Sequence, residues 1–349
     1  MPYQPPYTLT TPILNEVAYI SEQIGRITAQ TQQQDLRLRR INRIRTITGS
    51  LAIEGNTLDE AQITAILDGK RVLAPPREIQ EAHNALQTYE QLPNWKSDTE
   101  HDLLQAHHTL MIGLITEVGQ YRQGGVGVMS GEQVIHIAPP ASQVPRLMND
   151  LLHWLKHSPD HPLIKSCVFH YEFEFIHPFA DGNGRMGRLW QTLILSEWQP
   201  IFRYIPVESL IHQHQQQYYQ AIQESTQQTD IAPFIQFMLS MIQQAVYHQV
   251  SPQVTPQVSP QVEALLQCMI GEMSREQIQQ KLDLKDRKSF KNRYLQPALQ
   301  AGLIEMTIPD KPNSRLQQYR LTAQGKMLQV QGLTHERNPT RKPLPRLVC

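Results

Sequence analysis

Cysteine is scarce in this chain, which has three in 349 residues, at positions 167, 268 and 349, with no C-x-x-C spacing. Such a pattern supports neither a disulfide framework nor a cysteine-based zinc site, and it is typical of a reducing compartment. The sequence also lacks a run of ~18 apolar residues and a basic-then-apolar leader, so we expect neither a membrane span nor export. These absences favour a cytoplasmic protein with no membrane partner.

An excess of charge of either sign is also missing, since 32 Lys and Arg residues balance 32 Asp and Glu residues. This balance argues against a uniformly basic nucleic-acid coat, although a local basic segment can hide in the average. Hydrophobic residues make up 40% and charged residues 18% of the chain, which is typical of folded domains rather than of a disordered chain. The length is sufficient for two or three domains.

Proline marks the clearest boundary in the chain. Residues 251–262 read SPQVTPQVSPQV, which predicts an extended linker because proline disfavours helix for itself and for the preceding residue. Before the linker, β-prone runs around Ser130-Gly131-Glu132-Gln133 predict one β-hairpin over Val126–Ile137. The other segments before the linker have helical periodicity. The predicted helices are Leu36–Ala52, Asp59–Leu67, Ile79–Leu92, Asp102–Ile115, Val144–Lys156, Leu163–Phe175, Gly184–Trp198 and Ser209–Thr226.

After the linker, Val262–Gln329 has the pattern of three helices and then two β-prone runs, Gly302–Ile308 and Leu316–Leu321. This is the order of a winged helix. The predicted protein is therefore mainly α. Its predicted domains are an N-terminal helical region (1–100), a helical core with a hairpin (101–250), the linker (251–262), a winged helix (263–330) and a basic, disordered tail (331–349).

The segment His177–Arg188, HPFADGNGRMGR, is the densest in reactive side chains and lies between two apolar helices. Gly182 and Gly184 let backbone N–H groups approach a ligand closely, and a helix that begins near Gly184 directs its unpaired N–H groups into the loop. Arg185 and Arg188 are three residues apart on one helical face, so both guanidinium groups can reach one polyphosphate. The segment therefore predicts an anion site.

Two further side chains of this segment suit phosphate chemistry. Asp181 supplies a hard oxygen ligand of the kind that Mg²⁺ prefers when one carboxylate and substrate phosphates share the ion. His177, immediately before the loop, has an imidazole whose usual pKa of ~6.5 suits a general base near neutral pH. Taken singly, a buried or capping histidine and an N-cap aspartate are the structural alternatives.

The segment resembles the signature of the Fic family (filamentation induced by cAMP), H-P-F-x-D/E-G-N-G-R-x-x-R, and matches it at every specified position. The resemblance extends over roughly Thr46–Leu239 in the order of elements. It implies a Fic-type helical core in which the hairpin is a flap that aligns the target. It also implies transfer of AMP from ATP to a Ser, Thr or Tyr hydroxyl of a protein, with self-modification.

The resemblance also implies a role for each signature residue. His177 takes the proton of the target hydroxyl, and Asp181 holds Mg²⁺ between the α- and β-phosphates. Arg185 and Arg188 hold the β- and γ-phosphates, while Phe179 packs inward to fix the loop. The other residues that it places at ATP are Gly182, Asn183 and Gly184 in the anion cradle, Met186 and Gly187 through their backbone, and Tyr218 and Tyr219 beside the base, with packing as the alternative for the tyrosines.

Upstream, the sequence TGSLAIEGN (48–56) places Ser50 and Glu54 four residues apart on one helical face, and Gly55 suits a left-handed helix end. By themselves these residues predict a helix terminus. They also match the inhibitory motif of the family, S/T-x-x-x-E-G/N, whose glutamate pairs with the second signature arginine, here Arg188. The resemblance therefore implies an N-terminal inhibitory helix and low resting activity, because the glutamate blocks productive binding of the γ-phosphate.

Residues 285–326 carry nine lysines and arginines against three acidic residues, which is a local footprint for nucleic acid. Winged helices also serve as protein-docking or dimer modules, so DNA, another protein and a second copy of the chain remain open as partners. The alternatives to AMP transfer are a DNA-binding regulator with a nucleotide-sensing core and an enzyme that removes AMP from protein. The basic groups that would face DNA are Lys288, Lys291 and Arg293 on a helix over Arg287–Ala301 and a wing at Lys311–Arg315.

Overall fold

The chain folds into two compact units that divide between residues 251 and 252, each with its own hydrophobic core. Among the residues that the structure describes, no helix is both long and apolar enough to cross a membrane. The computed structural model describes residues 3–30, 36–125, 127–130, 133–250, 260–284, 286–300, 302–308, 314, 317–322, 325 and 329.

The larger unit is built from helices whose ends are set by local chemistry. Asp59 and Gln62 form a capping box, because each side chain accepts a hydrogen bond from the backbone N–H of the other, at 2.7 and 3.0 Å. Pro76 and Pro162 stand in the first helical turn, where the missing N–H has no intrahelical partner to lose. The helices are α1 (Thr11–Gln30), α2 (Leu36–Ile53), α3 (Glu60–Leu67), α4 (Pro76–Gln91), α5 (Glu100–Met111), α6 (Val144–His157), α7 (Pro162–Ile176), α8 (Asn183–Trp198), α9 (Val207–Gln213), α10 (Gln215–Gln228) and α11 (Ala232–Val250).

Most predicted helices are present, with ends shifted by a few residues, but one prediction is wrong. The segment Ser209–Thr226 is not one helix, because the chain leaves helical geometry at His214 (φ −110°, ψ 30°) and forms α9 and α10. The structure also adds α1 and α11, which pack on each other. Helix α11 has apolar residues on most of its circumference because α7, α9 and α10 contact it as well, and this obscures one-sided periodicity.

The predicted β-hairpin is confirmed as an antiparallel pair. Strands β1 (Gly127–Ser130) and β2 (Gln133–Ile137) pair with Gly127 opposite Ile137 and Ser130 opposite Gln133. The register shifts between Val128 and Met129, which is a bulge. Val126, Gly131 and Glu132 of the predicted hairpin lie outside the described residues.

Helices α7 and α8 form the centre of the larger unit and pack on each other over their length. Phe169, Phe173, Leu189 and Trp190 are each 0% exposed, and nearly every residue of α8 is buried. A helix buried on all sides belongs to a core. The loop between these two helices, residues 177–182, is therefore held at both ends by buried structure.

The smaller unit combines short helices with a three-stranded antiparallel sheet in the order β3-β5-β4. Its helix α12 begins at Pro260, inside the predicted linker, because proline is tolerated in the first turn. The predicted helix Arg287–Ala301 is interrupted by a π-helical turn over Lys291–Leu295. Residues 251–259, Ala301, Lys311, Arg315 and the predicted tail 331–349 lie outside the described residues. The elements are α12 (Pro260–Cys268), β3 (Met273–Ser274), α13 (Arg275–Lys281), α14 (Arg287–Phe290), α15 (Gln296–Gln300), β4 (Ile304–Met306) and β5 (Gln318–Leu321).

Candidate active site

His177 ends α7 in a left-handed backbone conformation, with φ 51° and ψ 60°. A residue with a Cβ is strained there, so surrounding contacts must hold it in place. Its N–H donates to Phe173 O at 2.9 Å, and the residue is 6% exposed. His177 thus begins the loop at the turn between the two central helices.

Arg122 holds this turn from outside the signature. Its Nε donates to His177 O at 2.7 Å, and its Nη2 donates to Ile176 O at 3.3 Å and to Pro139 O at 2.5 Å. Burial lowers the pKa of Arg122, which is 2% exposed and has no carboxylate partner among the described ion pairs. Since Pro139 follows strand β2, one side chain ties the His177 turn to the base of the hairpin.

His107 and Asn183 support the loop from inside. The ring of His107 stacks on Phe179 at a centroid distance of 3.7 Å, and its Nε2 lies 3.0 Å from Asp181 O. Gly119 N–H donates to His107 Nδ1, so Nε2 carries the hydrogen, and burial lowers the pKa of His107 to about 4. Asn183 bonds both Phe179 N and Phe179 O at 2.9 Å. The prediction that Phe179 packs inward is confirmed, because it is 0% exposed.

The N-terminus of α8 begins at Gly182, which has a left-handed conformation (φ 86°). A Cβ at this position would lie 2.6 Å from Met111 Sδ, so only glycine fits. Met186 N–H bonds Gly182 O at 2.9 Å, which leaves the amides of residues 183–185 as the first-turn donors. A Cβ at Gly184 would overlap Glu54 Oε1, so a carboxylate already lies at this positive helix end.

Arg188 contacts both residues of the upstream motif. Its Nη2 donates to Glu54 Oε1 at 2.6 Å and to Ser50 O at 3.0 Å, and its Nε donates to Ser50 Oγ at 3.2 Å. Burial alone lowers the pKa of Arg188, but the charge of Glu54 and the weaker effects of Tyr218 and Glu174 outweigh burial, so the pKa is raised. The side chain is 1% exposed, and the raised pKa keeps its guanidinium charged.

Helix α2 reaches this position because Gly49 allows close packing. A Cβ at Gly49 would lie 2.6 Å from Ser209 N, which belongs to α9. Ser209 Oγ donates to Arg45 O at 2.9 Å, and Gln215 Nε2 donates to Ile53 O at 2.9 Å, which fixes the end of α2. The segment that carries Ser50 is thereby part of the helical core.

Asp181 and Arg185 belong to a second group of charges. Asp181 Oδ1 accepts from Gly182 N at 2.6 Å and from Arg185 Nη2 at 3.2 Å, and Asp181 Oδ2 accepts from Arg77 Nη2 at 3.1 Å. Arg185 Nη1 also lies 3.5 Å from Glu81 Oε1. Arg77 and Glu81, both on α4, were missed by sequence reasoning because no local pattern links them to the loop.

A divalent cation at Asp181 would need oxygens from a nucleotide or from water. Among the described residues, no group of three or more His, Cys, Asp or Glu side chains could hold a metal ion. The Asp181 side chain is 35% exposed, so its carboxylate is accessible from solvent. This donor set fits Mg²⁺ shared with phosphates.

The four other residues that the sequence predicts at ATP differ in how deeply they are buried. Tyr218 is 2% exposed, and its hydroxyl lies 3.0 Å from His170 Nε2 within the core. Tyr219 is only partly buried, and burial with the nearby Glu54 charge raises its pKa to about 12. Met186 is 0% exposed, and a Cβ at Gly187 would lie 2.8 Å from a buried carboxylate oxygen.

That carboxylate belongs to Glu174, which sequence reasoning also missed. Glu174 Oε1 lies 3.8 Å from His170 Nε2, and Glu174 is 13% exposed. Burial raises the pKa of Glu174 to about 8, although the Arg188 charge works in the opposite direction. Burial lowers the pKa of His170 to about 3, so the imidazole is neutral and supplies no counter-charge. The Glu174 carboxyl therefore keeps its proton at neutral pH, close to the ion pair of Arg188 and Glu54.

The fold is mainly helical, and a glycine-containing loop leads into the N-terminus of α8 between two buried helices. Residues 96–195 match the Fic/DOC family, and residues 260–322 match the family described as filamentation induced by cAMP protein Fic-like, C-terminal domain. This chain is similar to a Fic family protein from Desulfovibrio desulfuricans G20 whose crystal structure is known. The two are 54% identical with a TM-score of 0.70, and the match covers 92% of this chain and 99% of that chain. This chain belongs to the Fic family, whose domain is typically a nucleotidyltransferase that uses ATP.

More distant relatives carry a functional name. Protein adenylyltransferase Fic of Aedes aegypti is 31% identical over 210 residues, which are 56% of this chain and 39% of that protein. The protein of the same name from Nematostella vectensis is 29% identical over 56% of this chain and 46% of its own length. This chain thus spans less than half of these relatives. Fic-1 of C. elegans, at 21% identity and a TM-score of 0.56, shares the fold over 68% of this chain and 71% of that chain.

Proposed function

We propose that this protein transfers AMP from ATP to a Ser, Thr or Tyr hydroxyl of a protein, itself included, and that Glu54 restrains it at rest. The observation that carries this proposal is that one short loop joins His177, at the end of α7, to the N-terminus of α8, whose first two turns carry Arg185 and Arg188. The relatives named protein adenylyltransferase support the reaction class.

In the proposed reaction the target hydroxyl oxygen attacks the α-phosphorus of ATP. A bond from that oxygen to phosphorus forms, the bond from the α-phosphorus to the bridging oxygen breaks, and pyrophosphate leaves. His177 accepts the hydroxyl proton, and Arg185 with the first-turn amides stabilises charge on the leaving group. Mg²⁺, when bound at Asp181, would neutralise part of the phosphate charge.

The hairpin supports a protein as the acceptor. Among the described residues β1 and β2 pair only with each other, so the outer edges of this two-stranded sheet have no strand partner. An extended segment can add to such an edge by main-chain hydrogen bonds. Arg122 joins the base of this hairpin to the His177 turn, so a segment held by the hairpin is positioned relative to the base.

Glu54 would act by competing with the γ-phosphate of ATP for the guanidinium of Arg188. Its carboxylate occupies Arg188 at 2.6 Å and lies against Gly184, so a γ-phosphate would meet both a missing donor and a like charge. Replacing Glu54 removes the anion and leaves the arginine available. Low resting activity is the expected consequence.

The test compares wild type, Glu54→Gly and Glu54→Gly/His177→Ala, incubated with Mg²⁺ and α-labelled ATP in cell lysate. Strong protein labelling by Glu54→Gly, weak labelling by wild type and none by the double variant is the expected result. Glu90→Gly is a matched control, because it removes an exposed carboxylate near the end of α4. A Glu54→Gly protein that binds ATP but labels no protein would contradict the proposal.

A second candidate function, DNA binding by the smaller unit, has one specific observation in its favour. Arg287, Lys291 and Arg293 are exposed on one helical stretch, and no described ion pair involves them. The order of elements is that of a winged helix, in which such a stretch would enter the major groove. The Lys288 side chain and the predicted wing residues lie outside the described part of the chain.

Fluorescence anisotropy with a mixed-sequence duplex tests this candidate. Lys291→Gln/Arg293→Gln should weaken binding and flatten its dependence on salt concentration, because fewer phosphates are neutralised. Lys281→Gln, an exposed change on α13, is the control. Equal binding by all three proteins would argue against this helix as the contact surface.

A further inference from the structure

Every charged group that the proposed function assigns to MgATP already contacts an opposite charge supplied by residues 54–81. The two arginines contact glutamates, and the aspartate contacts an arginine. The three pairs are Glu54 with Arg188 at 2.6 Å, Glu81 with Arg185 at 3.5 Å, and Arg77 with Asp181 at 3.1 Å. Only the first pair corresponds to the inhibitory motif, so the other two require an explanation.

Arg77 stands where it can replace a metal ion at Asp181. Its Nη2 contacts Asp181 Oδ2, while Asp181 Oδ1 is held by Gly182 N and Arg185 Nη2. Both carboxylate oxygens therefore face positive or donor groups. A divalent cation that binds Asp181 through Oδ2 would meet the positive guanidinium of Arg77, which lies 3.1 Å from the same oxygen, and the two like charges would repel each other.

Glu81 links this contact to the inhibitory segment. Glu81 Oε1 lies 3.3 Å from Arg77 Nε and 3.5 Å from Arg185 Nη1, so it orients both arginines. Glu81 Oε2 accepts a hydrogen bond from Asn56 Nδ2 at 2.9 Å, and Asn56 follows Glu54 by two residues. The start of α4 and the end of α2 are thus joined around the same loop.

We propose that Arg77 competes with the divalent cation of a nucleotide for Asp181, and so forms a second restraint on the site that does not depend on Glu54. This inference rests on the proposed use of a metal-bound nucleoside triphosphate. Removal of Glu54 releases Arg188 but leaves Arg77 on Asp181. Full opening of the site needs the cation to displace Arg77.

The expected size of this effect follows from exposure. The Arg77 side chain is 59% exposed and that of Asp181 is 35% exposed, and ion pairs in such positions contribute little because solvent screens them. Arg77 therefore shifts the required Mg²⁺ concentration by about two- to fivefold rather than closing the site. The Arg77–Asp181 contact thus raises the Mg²⁺ concentration that nucleotide binding requires.

The experiment measures nucleotide binding rather than transfer. Glu54→Gly and Glu54→Gly/Arg77→Met are titrated calorimetrically with an ATP analogue that has a methylene group between its α- and β-phosphorus atoms, at a series of Mg²⁺ concentrations. The Mg²⁺ concentration that gives half-maximal affinity should fall about two- to fivefold in the double variant. Arg146→Met in the same background is the matched control, because Arg146 is 63% exposed and pairs with Asp150 four residues away.

Arg77→Lys, which keeps a positive charge near Asp181, should behave more like the Glu54→Gly protein than Arg77→Met does. An unchanged Mg²⁺ dependence with intact binding would overturn the inference and leave the proposed function standing. Weaker binding in the Arg77→Met protein would also overturn it, and would identify Arg77 as a phosphate contact. Absence of analogue binding by Glu54→Gly at every Mg²⁺ concentration would contradict the proposed function and this inference together.

Discussion

At the scale of single residues, the candidate site depends on side chains outside the signature segment that hold its backbone. Arg122 satisfies backbone carbonyls at the end of α7 and at the base of the hairpin. A buried cation that bonds only carbonyls is costly to desolvate and is retained where geometry must be held. The strained backbone of His177 is the geometry that Arg122 holds.

Arg122→Met should destabilise the larger unit by about 2–4 kcal/mol, because it leaves several buried carbonyls without donors. Denaturant unfolding measures this change, with Arg146→Met as an exposed control. Arg122→Lys should fold, because the lysine can donate to some of these carbonyls. In the Glu54→Gly background it should lower kcat for labelling more than it changes KM for ATP. Full kcat in that protein would argue against a positioning role.

Glu174 makes stability depend on pH. Its pKa is raised to about 8 in the folded protein by burial, so between pH 5 and 8 the unfolded chain ionises while the folded protein keeps the proton. The free energy of unfolding therefore falls as the pH rises from 5 to 8. Glu174→Gln should match wild type in stability near pH 5 and exceed it at pH 8, by an amount on the order of a few kcal/mol.

Denaturant unfolding of both proteins at pH 5, 6.5 and 8 checks this prediction. The exposed change Glu90→Gln is the control and should give a difference from wild type that does not vary with pH in this window. A constant difference between Glu174→Gln and wild type would show that Glu174 does not titrate there.

At the scale of elements, the placement of α2 decides whether Glu54 meets Arg188. Ser50 and Glu54 are on the same face of α2, but the contact needs the close packing that Gly49 allows against α9. Gln215 Nε2 then donates a hydrogen bond to Ile53 O at the end of α2, and Ser209 Oγ donates one to Arg45 O in its middle, so both side chains hold α2 in place. Ser50 therefore lies in a packed helix, and Glu54 follows directly at its end.

Gly49→Ala should destabilise the protein by about 1–3 kcal/mol, because its Cβ would press against the backbone of Ser209. Gly25→Ala is the matched control: it lies in α1 with no atom within 4 Å of the new Cβ, so it should stabilise by about 0.5–1 kcal/mol. Thermal and denaturant unfolding measure both. Stabilisation by Gly49→Ala would contradict the close contact.

At the scale of the whole molecule, the two units have separate hydrophobic cores. One is centred on α7 and α8, and the other includes Leu265, Ile278, Phe290 and Tyr319. The larger unit contains every residue of the candidate active site. The chemistry and the second candidate function therefore reside in different units.

A fragment of residues 1–250 should fold with the unfolding midpoint of the larger unit in the full chain, and should bind the ATP analogue with unchanged affinity in the Glu54→Gly form. Separate cores predict this independence. Circular dichroism melting and calorimetric titration compare fragment and full chain. A fragment that is unfolded, or that binds more than tenfold more weakly, would show that the smaller unit is needed.

The local part of the site was predictable from the sequence by itself. His177, Asp181, Arg185 and Arg188 lie within twelve residues, and the spacing of a loop followed by a helix places them together whatever surrounds them. The hairpin and most helices were predictable for the same reason, since periodicity and turn residues act over a few positions.

Only the tertiary structure decided which distant side chains complete the site. Arg77, Glu81, His107 and Arg122 reach the loop from 55 or more residues away, and no local periodicity encodes such a contact. The burial of α11 likewise results from packing by several neighbours. Local backbone geometry sets which groups can share a loop, whereas packing of the helical core sets which charges meet them there.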